Sequence, residues 1–281
     1  MTQIRFGCES AVRRSVKVNG LALSFLEWPA AGRPGVCFLH GGAAHAHWFD
    51  LVAPAFEGRF HMISLDQRGH GESQWSDPPA YATEHFATDL LALFDELGWR
   101  QVILVGHSMG GHNSMCFAAW HPERVRSLVI ADSRPVIPSD RLDVMHARGH
   151  RPMRRHASPE AAVASFRLLP RDTVAKPGVL AHIARAGIVE RDGGWIVRFD
   201  PNCHGLRRPV DAWTLVDRIQ APTLIVRAQW SPGLAGGVAE RLHAAIPGST
   251  LVEIREAYHH LTLDQPERFV EALEKFLGRL A

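Results

Sequence analysis

Residues Gly106-His107-Ser108-Met109-Gly110 place a serine between two glycines, directly after the apolar run Val102–Val105 and before the small-residue run Gly111–Trp120. A serine held on so sharp a strand-to-helix turn needs tiny neighbours, and it stands exposed at the helix N-terminus, where its hydroxyl can attack a carbonyl carbon. The amide of Met109 then points towards the oxygen that becomes negative. A second such donor is expected from His40-Gly41-Gly42, where Gly42 lets backbone approach a ligand closely; Ala43 is the next in line. The hydroxyl attacks only if an imidazole takes its proton and an anion holds the imidazole from its other side. With 17 histidines in the chain, position rather than residue type must select the base.

Positioning requires a scaffold, and the pattern of apolar residues supplies one. Residues 15–28 alternate around Asn19-Gly20, a dipeptide suited to a tight hairpin turn. Six short, near-continuous apolar runs follow within 34–42, 60–73, 101–111, 126–135, 222–231 and 249–260, each ending in a polar or glycine-rich loop. Such runs read as strands covered on both faces. Helical periodicity separates them, as in 83–99, where Phe86, Leu90, Leu93, Phe94 and Leu97 share one face. The alternation predicts an α/β fold with a mostly parallel twisted sheet flanked by helices, its working residues in loops beyond the strand C-termini. The rhythm fails between Arg134 and Trp213, where helical pieces and a single strand-like run, 193–202, replace it. A core of 1–133 and 213–281 with an inserted, mainly helical cap of 134–212 is therefore expected. Ser158, Pro159 and Glu160 mark the start of one cap helix.

The motifs HGG (40–42), DQRGHGES (66–73), GHSMGG (106–111) and YHHLTLDQPERF (258–269), in that order, resemble the α/β-hydrolase fold superfamily. The resemblance implies that fold and a serine at the elbow, which argues against the dehalogenase and epoxide-hydrolase branches that use aspartate there. It also implies the base. In the family a glycine-histidine pair lies seven residues before the proline of the last helix, and counting back from Pro266 gives His259. Tyr258 replaces the glycine and is expected to crowd the loop, so His260 stays as a competitor, the unused neighbour being a surface or loop histidine. The family's acid normally lies near Ser231, yet TLIVRAQWSPGL (223–234) contains no carboxylate. Asp211 and Asp217 precede the seventh core strand, Asp264 is expected to start the last helix, and Asp66 belongs with Arg68 to a structural turn. Asp132 remains, directly after the sixth strand and one strand from the serine's, a displacement of only ~4.8 Å. The arrangement resembles a branch in which a serine takes the usual acid position and an aspartate after the sixth strand acts; residues 193–202 resemble that branch's cap.

Bulk properties bound the partners. A net charge of +2 with 21% charged residues gives no reason to expect nucleic acid. No run approaches the ~20 apolar residues that cross a membrane and no signal peptide is visible, so a cytoplasmic protein is expected. Four scattered cysteines suggest neither a metal site nor a disulfide framework. The charge is unevenly spread: residues 134–208 hold fourteen basic and seven acidic side chains. That excess favours an anionic small-molecule substrate, with Arg148 and Arg167 as a carboxylate clamp and Trp230, with Trp195 and Trp213, as apolar lining. The expectation is a cofactor-independent, metal-free serine hydrolase, Ser108-His259-Asp132 with amides of Gly42 and Met109, opening an ester, lactone, enamide or C–C bond. A hydrolase-fold ligand-binding or receptor protein with little turnover is the alternative, and a homodimer is left open.

Overall fold

The computed structural model describes residues 6–234 and 237–278. Its centre is an eight-stranded sheet built from β1 (Val12–Val18), β2 (Leu21–Trp28), β3 (Gly35–Leu39), β4 (His61–Leu65), β5 (Val102–His107), β6 (Val125–Ala131), β9 (Thr223–Ala228) and β10 (Thr250–Ile254). The spatial order is β1-β2-β4-β3-β5-β6-β9-β10. Only the β1/β2 and β2/β4 pairs are antiparallel, so the hairpin forms one edge of an otherwise parallel sheet. Asn19 and Gly20 turn the hairpin with φ of 49° and 79°, the left-handed pair that a two-residue turn demands.

Both faces of the sheet are covered, which is why its strands are continuously apolar. Helices α1 (Thr83–Glu96), α2 (Met109–Trp120) and α7 (Val238–Ala245) pack on one face through Leu90, Phe94, Phe117 and Leu242. On the other face α8 (Pro266–Leu277) buries Phe269, Leu273 and Phe276. Each such side chain contributes roughly 1.5–3 kcal/mol by leaving water. Cys37, Cys116 and Cys203 are buried free thiols, and burial raises the thiol of Cys116 to about 12.

The turn after β4 is structural, as its sequence suggests. Asp66 accepts from the amides of Ala46 (2.6 Å) and Glu72 (3.0 Å) and from Arg13 (2.7 Å). Arg68 grips Asp89 of α1 through Nε and Nη2, both at 2.6 Å, with both side chains buried. Gly71 has φ of 54°, and a Cβ there would sit 2.1 Å from Asp66 Oδ1.

Residues 134–212 add no strand to this sheet. They form α3 (Ser139–Gly149), α4 (Pro159–Ser165), α5 (Pro177–Ala186), the antiparallel pair β7 (Ile188–Arg191) and β8 (Gly194–Val197), and the single turn α6 (Asn202–Gly205). Ser158 caps α4 as expected, accepting from the Ala161 amide at 3.2 Å. The strand expected alone is half of a hairpin, closed by Asp192 and Gly193 at φ of 50° and 74°. Ile188–Arg191 directly follows a helical segment, and that continuity hides it from a periodicity reading. Among the described residues no helix is long and apolar enough to cross a membrane.

The Arg68–Asp89 pair makes a quantitative demand, because removing one partner leaves a buried charge uncompensated. Asp89→Ala is expected to cost about 3–5 kcal/mol in equilibrium urea unfolding.

Candidate active site

Ser108 stands between β5 and α2 with φ of 52° and ψ of −117°, a backbone that side-chain-bearing residues rarely adopt. The surroundings enforce it. A Cβ on Gly106 would lie 2.5 Å from the Gly110 carbonyl oxygen, and one on Gly110 would lie 2.1 Å from that of Leu39. Gly111 is equally constrained, with Ser133 Cβ 2.5 Å from the position its own Cβ would take. Ser133 also donates to the Ser108 carbonyl at 2.6 Å, bracing the elbow from β6.

His259 Nε2 lies 2.9 Å from Ser108 Oγ, and its Nδ1 lies 2.7 Å from Asp132 Oδ2. Asp132 leaves β6 with φ of 44° and is 1% exposed. Ser231 is not idle in the family's acid position: its hydroxyl donates to the same Asp132 oxygen at 2.5 Å, while the Ala228 amide donates to the other at 3.2 Å. Gly233 belongs to this arrangement too, its amide donating to Ser231 Oγ at 3.0 Å, and a Cβ there would meet Asp132 Oδ2 at 2.9 Å.

The histidine pair resolves clearly. His260 is buried rather than at the surface or in a free loop, donates to the Pro170 carbonyl at 2.9 Å, and is held down to about 3, chiefly by burial. Tyr258 does not crowd the loop; its φ is not left-handed, and its ring turns onto Trp230 with centroids 5.1 Å apart. Asp264 does not start the last helix, whose N-cap is Gln265. Its carboxylate instead accepts from the Tyr258 amide (2.9 Å) and from Thr173 Oγ1 (2.5 Å), Val174 N (3.1 Å) and Ala175 N (3.1 Å). His107 donates from Nε2 to the His259 carbonyl at 2.8 Å and stays neutral because burial and the neighbouring imidazoles lower it well below the usual range. None of these supports was found from the sequence; the Gly111 and Gly233 spacings were the only visible signals.

Neither Gly42 nor Met109 donates its amide to a protein acceptor among the described residues. The Gly42 loop is fixed from behind. His40 donates from Nδ1 to Gly41 O (2.7 Å) and accepts from the Gln67 amide (3.1 Å), Gln67 receives Asn113 (2.8 Å), and Asn113 receives Arg207 (2.8 Å).

A family model described as alpha/beta hydrolase fold matches residues 34–171. The chain also superposes on a crystal structure of E-2-(acetamidomethylene)succinate hydrolase with a TM-score of 0.84 and 27% identity, over 95% of this chain and 99% of that one. The chain belongs to the α/β-hydrolase fold superfamily. This α/β-hydrolase is 28% identical over 277 residues to 2-(acetamidomethylene)succinate hydrolase of Mesorhizobium japonicum, covering 95% of each. It is 27% identical over 271 residues to 3-oxoadipate enol-lactonase 2 of Acinetobacter baylyi, covering 94% of this chain and 96% of that one. Like them, it is a hydrolase of small molecules.

Around the hydrolase's serine, the expected clamp residues part company. Arg148 ends α3 and makes no ion pair among the described residues. Arg167 is turned onto its own chain, donating to the carbonyls of Ala164 (2.8 Å) and Phe166 (2.6 Å), so the structure does not bring it to the site. Trp230 is 44% exposed beside Tyr258. Trp213 packs on the core and under Arg241, 4.1 Å from its ring; Trp195 sits in the β7/β8 hairpin. One cluster has metal-ligand composition: Asp50 Oδ2 lies 2.8 Å from His47 Nδ1 and 2.6 Å from His182 Nε2. Arg13 donates to His47 Nε2 at 3.0 Å, which puts that ring's proton on Nδ1, aimed at Asp50. The three therefore form a hydrogen-bonded clasp between the core and α5, with no lone pair of His47 left for a metal.

Several buried imidazoles make the α/β-hydrolase acid-sensitive. Burial holds His45 to about 3, His112 to about 4 and His260 to about 3, whereas the unfolded chain protonates them near 6.5. The unfolded state then binds more protons as pH falls below 6.5, so stability is full above that value and declines beneath it. Each of the three is expected to remove about 1 kcal/mol per pH unit between pH 6 and 4. Urea midpoints at stepped pH measure the slope, and His260→Gln should flatten it by one group's share.

Proposed function

We propose that this protein is a cofactor-independent serine hydrolase working through Ser108, His259 and Asp132 on a small, carboxylate-bearing substrate. The observation that carries the reading is the unbroken chain Ser108 Oγ, His259 Nε2, His259 Nδ1, Asp132 Oδ2, with links of 2.9 and 2.7 Å. Asp132 holds the imidazole with its proton on Nδ1, leaving the Nε2 lone pair to take the serine proton. Oγ attacks the carbonyl carbon, and the oxygen that gains the electron pair is held by the amides of Gly42 and Met109. The intermediate collapses as the imidazolium returns its proton to the leaving group, giving an acyl-enzyme. Water, deprotonated by the same imidazole, attacks that acyl carbon and restores Ser108.

The bond opened is an ester, lactone, enamide or C–C bond next to a carbonyl. Residues 134–212 act as a cap, with 1–133 and 213–281 as the core, and the cap's excess of basic side chains draws an anionic substrate. The names of two relatives, a succinate hydrolase and an oxoadipate enol-lactonase, support a carboxylated substrate. Arg148 is the clamp residue free to meet it.

Hydrolysis of p-nitrophenyl acetate tests the reading. Ser108→Ala and His259→Ala are expected to lower kcat by roughly 10⁴- to 10⁶-fold, and Asp132→Asn by roughly 10⁴-fold through the wrong imidazole tautomer. A serine-directed phosphonate should add its mass to Ser108. Undiminished turnover in Asp132→Ala would overturn the mechanism, and product release independent of Ser108 would favour a binding protein.

A further inference from the structure

The α3/α6 contact carries a second group to the reaction centre. A Cβ on Gly149 would lie 2.0 Å from the Gly205 amide, so the end of α3 is pressed against α6, and Arg148 and His204 are the residues immediately before these two glycines. His204 projects towards the Gly42 loop: its Nε2 would be 3.6 Å from a Cβ placed on Gly42, with Met109 Sδ at 3.9 Å. Phe199 packs against the ring at a centroid distance of 4.7 Å, but no protein group among the described residues hydrogen-bonds either ring nitrogen. Burial, with Arg148 and Arg207 close by, holds His204 down to about 4, so at neutral pH it is an uncharged ring with one N–H to offer.

A separate observation says what that N–H awaits. Arg207 is 1% exposed, yet no carboxylate of the described residues lies within 4 Å of its guanidinium, and its Nε has no partner. Its good contacts are to the Asn113 side chain and the face of Phe86, both neutral. A buried cation without an anion is costly, and a ligand carboxylate nearby offsets that cost.

We propose that His204 determines specificity, donating from Nε2 to a carboxylate of the substrate bound beside Gly42, with Arg148 flanking that carboxylate and Arg207 supplying positive potential from behind. The proposal rests on the serine-hydrolase reading and adds the group that recognises the substrate's second functional group. A donor to an anionic oxygen is worth roughly 10- to 100-fold in affinity.

The experiment compares mono-p-nitrophenyl succinate, which carries a carboxylate, with p-nitrophenyl acetate, which does not, and measures succinate binding by calorimetry. Wild type should prefer the succinate ester. His204→Ala is expected to lose about 10- to 100-fold in kcat/KM on that ester, mostly through KM, and under about threefold on the acetate, with succinate binding weakened in parallel. His204→Gln, which keeps a donor, should recover part of the loss and serves as the test variant if His204→Ala does not fold. Equal losses on both esters, losses on neither, or a wild type that shows neither the ester preference nor succinate binding would overturn the proposal. If neither ester is cleaved through Ser108, the hydrolase reading fails, and the succinate calorimetry of wild type and variants alone decides the subsite.

Discussion

A carboxylate removed from water must have its oxygens answered by donors, and the organisation of this protein follows from how Asp132 meets that demand. Oδ2 receives both the His259 imidazole and the Ser231 hydroxyl, and Oδ1 receives the Ala228 amide. Three donors from two chain segments surround the group at 1% exposure, where an unpaired charge is costly. Two of them, Ala228 and Ser231, come from the strand and loop in which the family's acid ordinarily resides. The Asp132 carboxylate stands one strand over from that position, where Ser231 supplies a hydrogen bond to it.

The loop bearing His259 is joined to residues 170–175 at adjoining positions. Asp264 ties the Tyr258 amide to residues 173–175, and His260 reaches the Pro170 carbonyl. A third tie, from Asp50 to His182, fastens α5 to the core. These contacts are buried or half-buried and polar, so they give the segment one seating where apolar contacts alone would allow several.

What the sequence made legible was whatever has a local steric cause. The elbow glycines, the Asn19-Gly20 turn and the Asp66–Arg68 turn are each dictated by a φ angle or a missing Cβ that neighbouring residues reveal. Asp132 was reachable by elimination because strand ends constrain where an acid can stand. The rest depends on contacts between residues far apart in the chain: Ser231 with Asp132, His107 with the His259 carbonyl, Asp264 with Thr173. Composition could not separate Arg148 from Arg167 either, since only the fold decides which guanidinium meets its own helix's carbonyls. The strand Ile188–Arg191 went unread although Asp192-Gly193 announced its hairpin, because a helix runs directly into it.

Ser108 and Asp132 leave neighbouring strands at the same level, one step beyond the last paired residues, His107 and Ala131, and with nearly matching φ of 52° and 44°. The two side chains that His259 joins are therefore mounted on a single rung of one ladder. Thermal fluctuation cannot separate them without tearing the middle of the sheet, which leaves only the imidazole's own position as a soft coordinate.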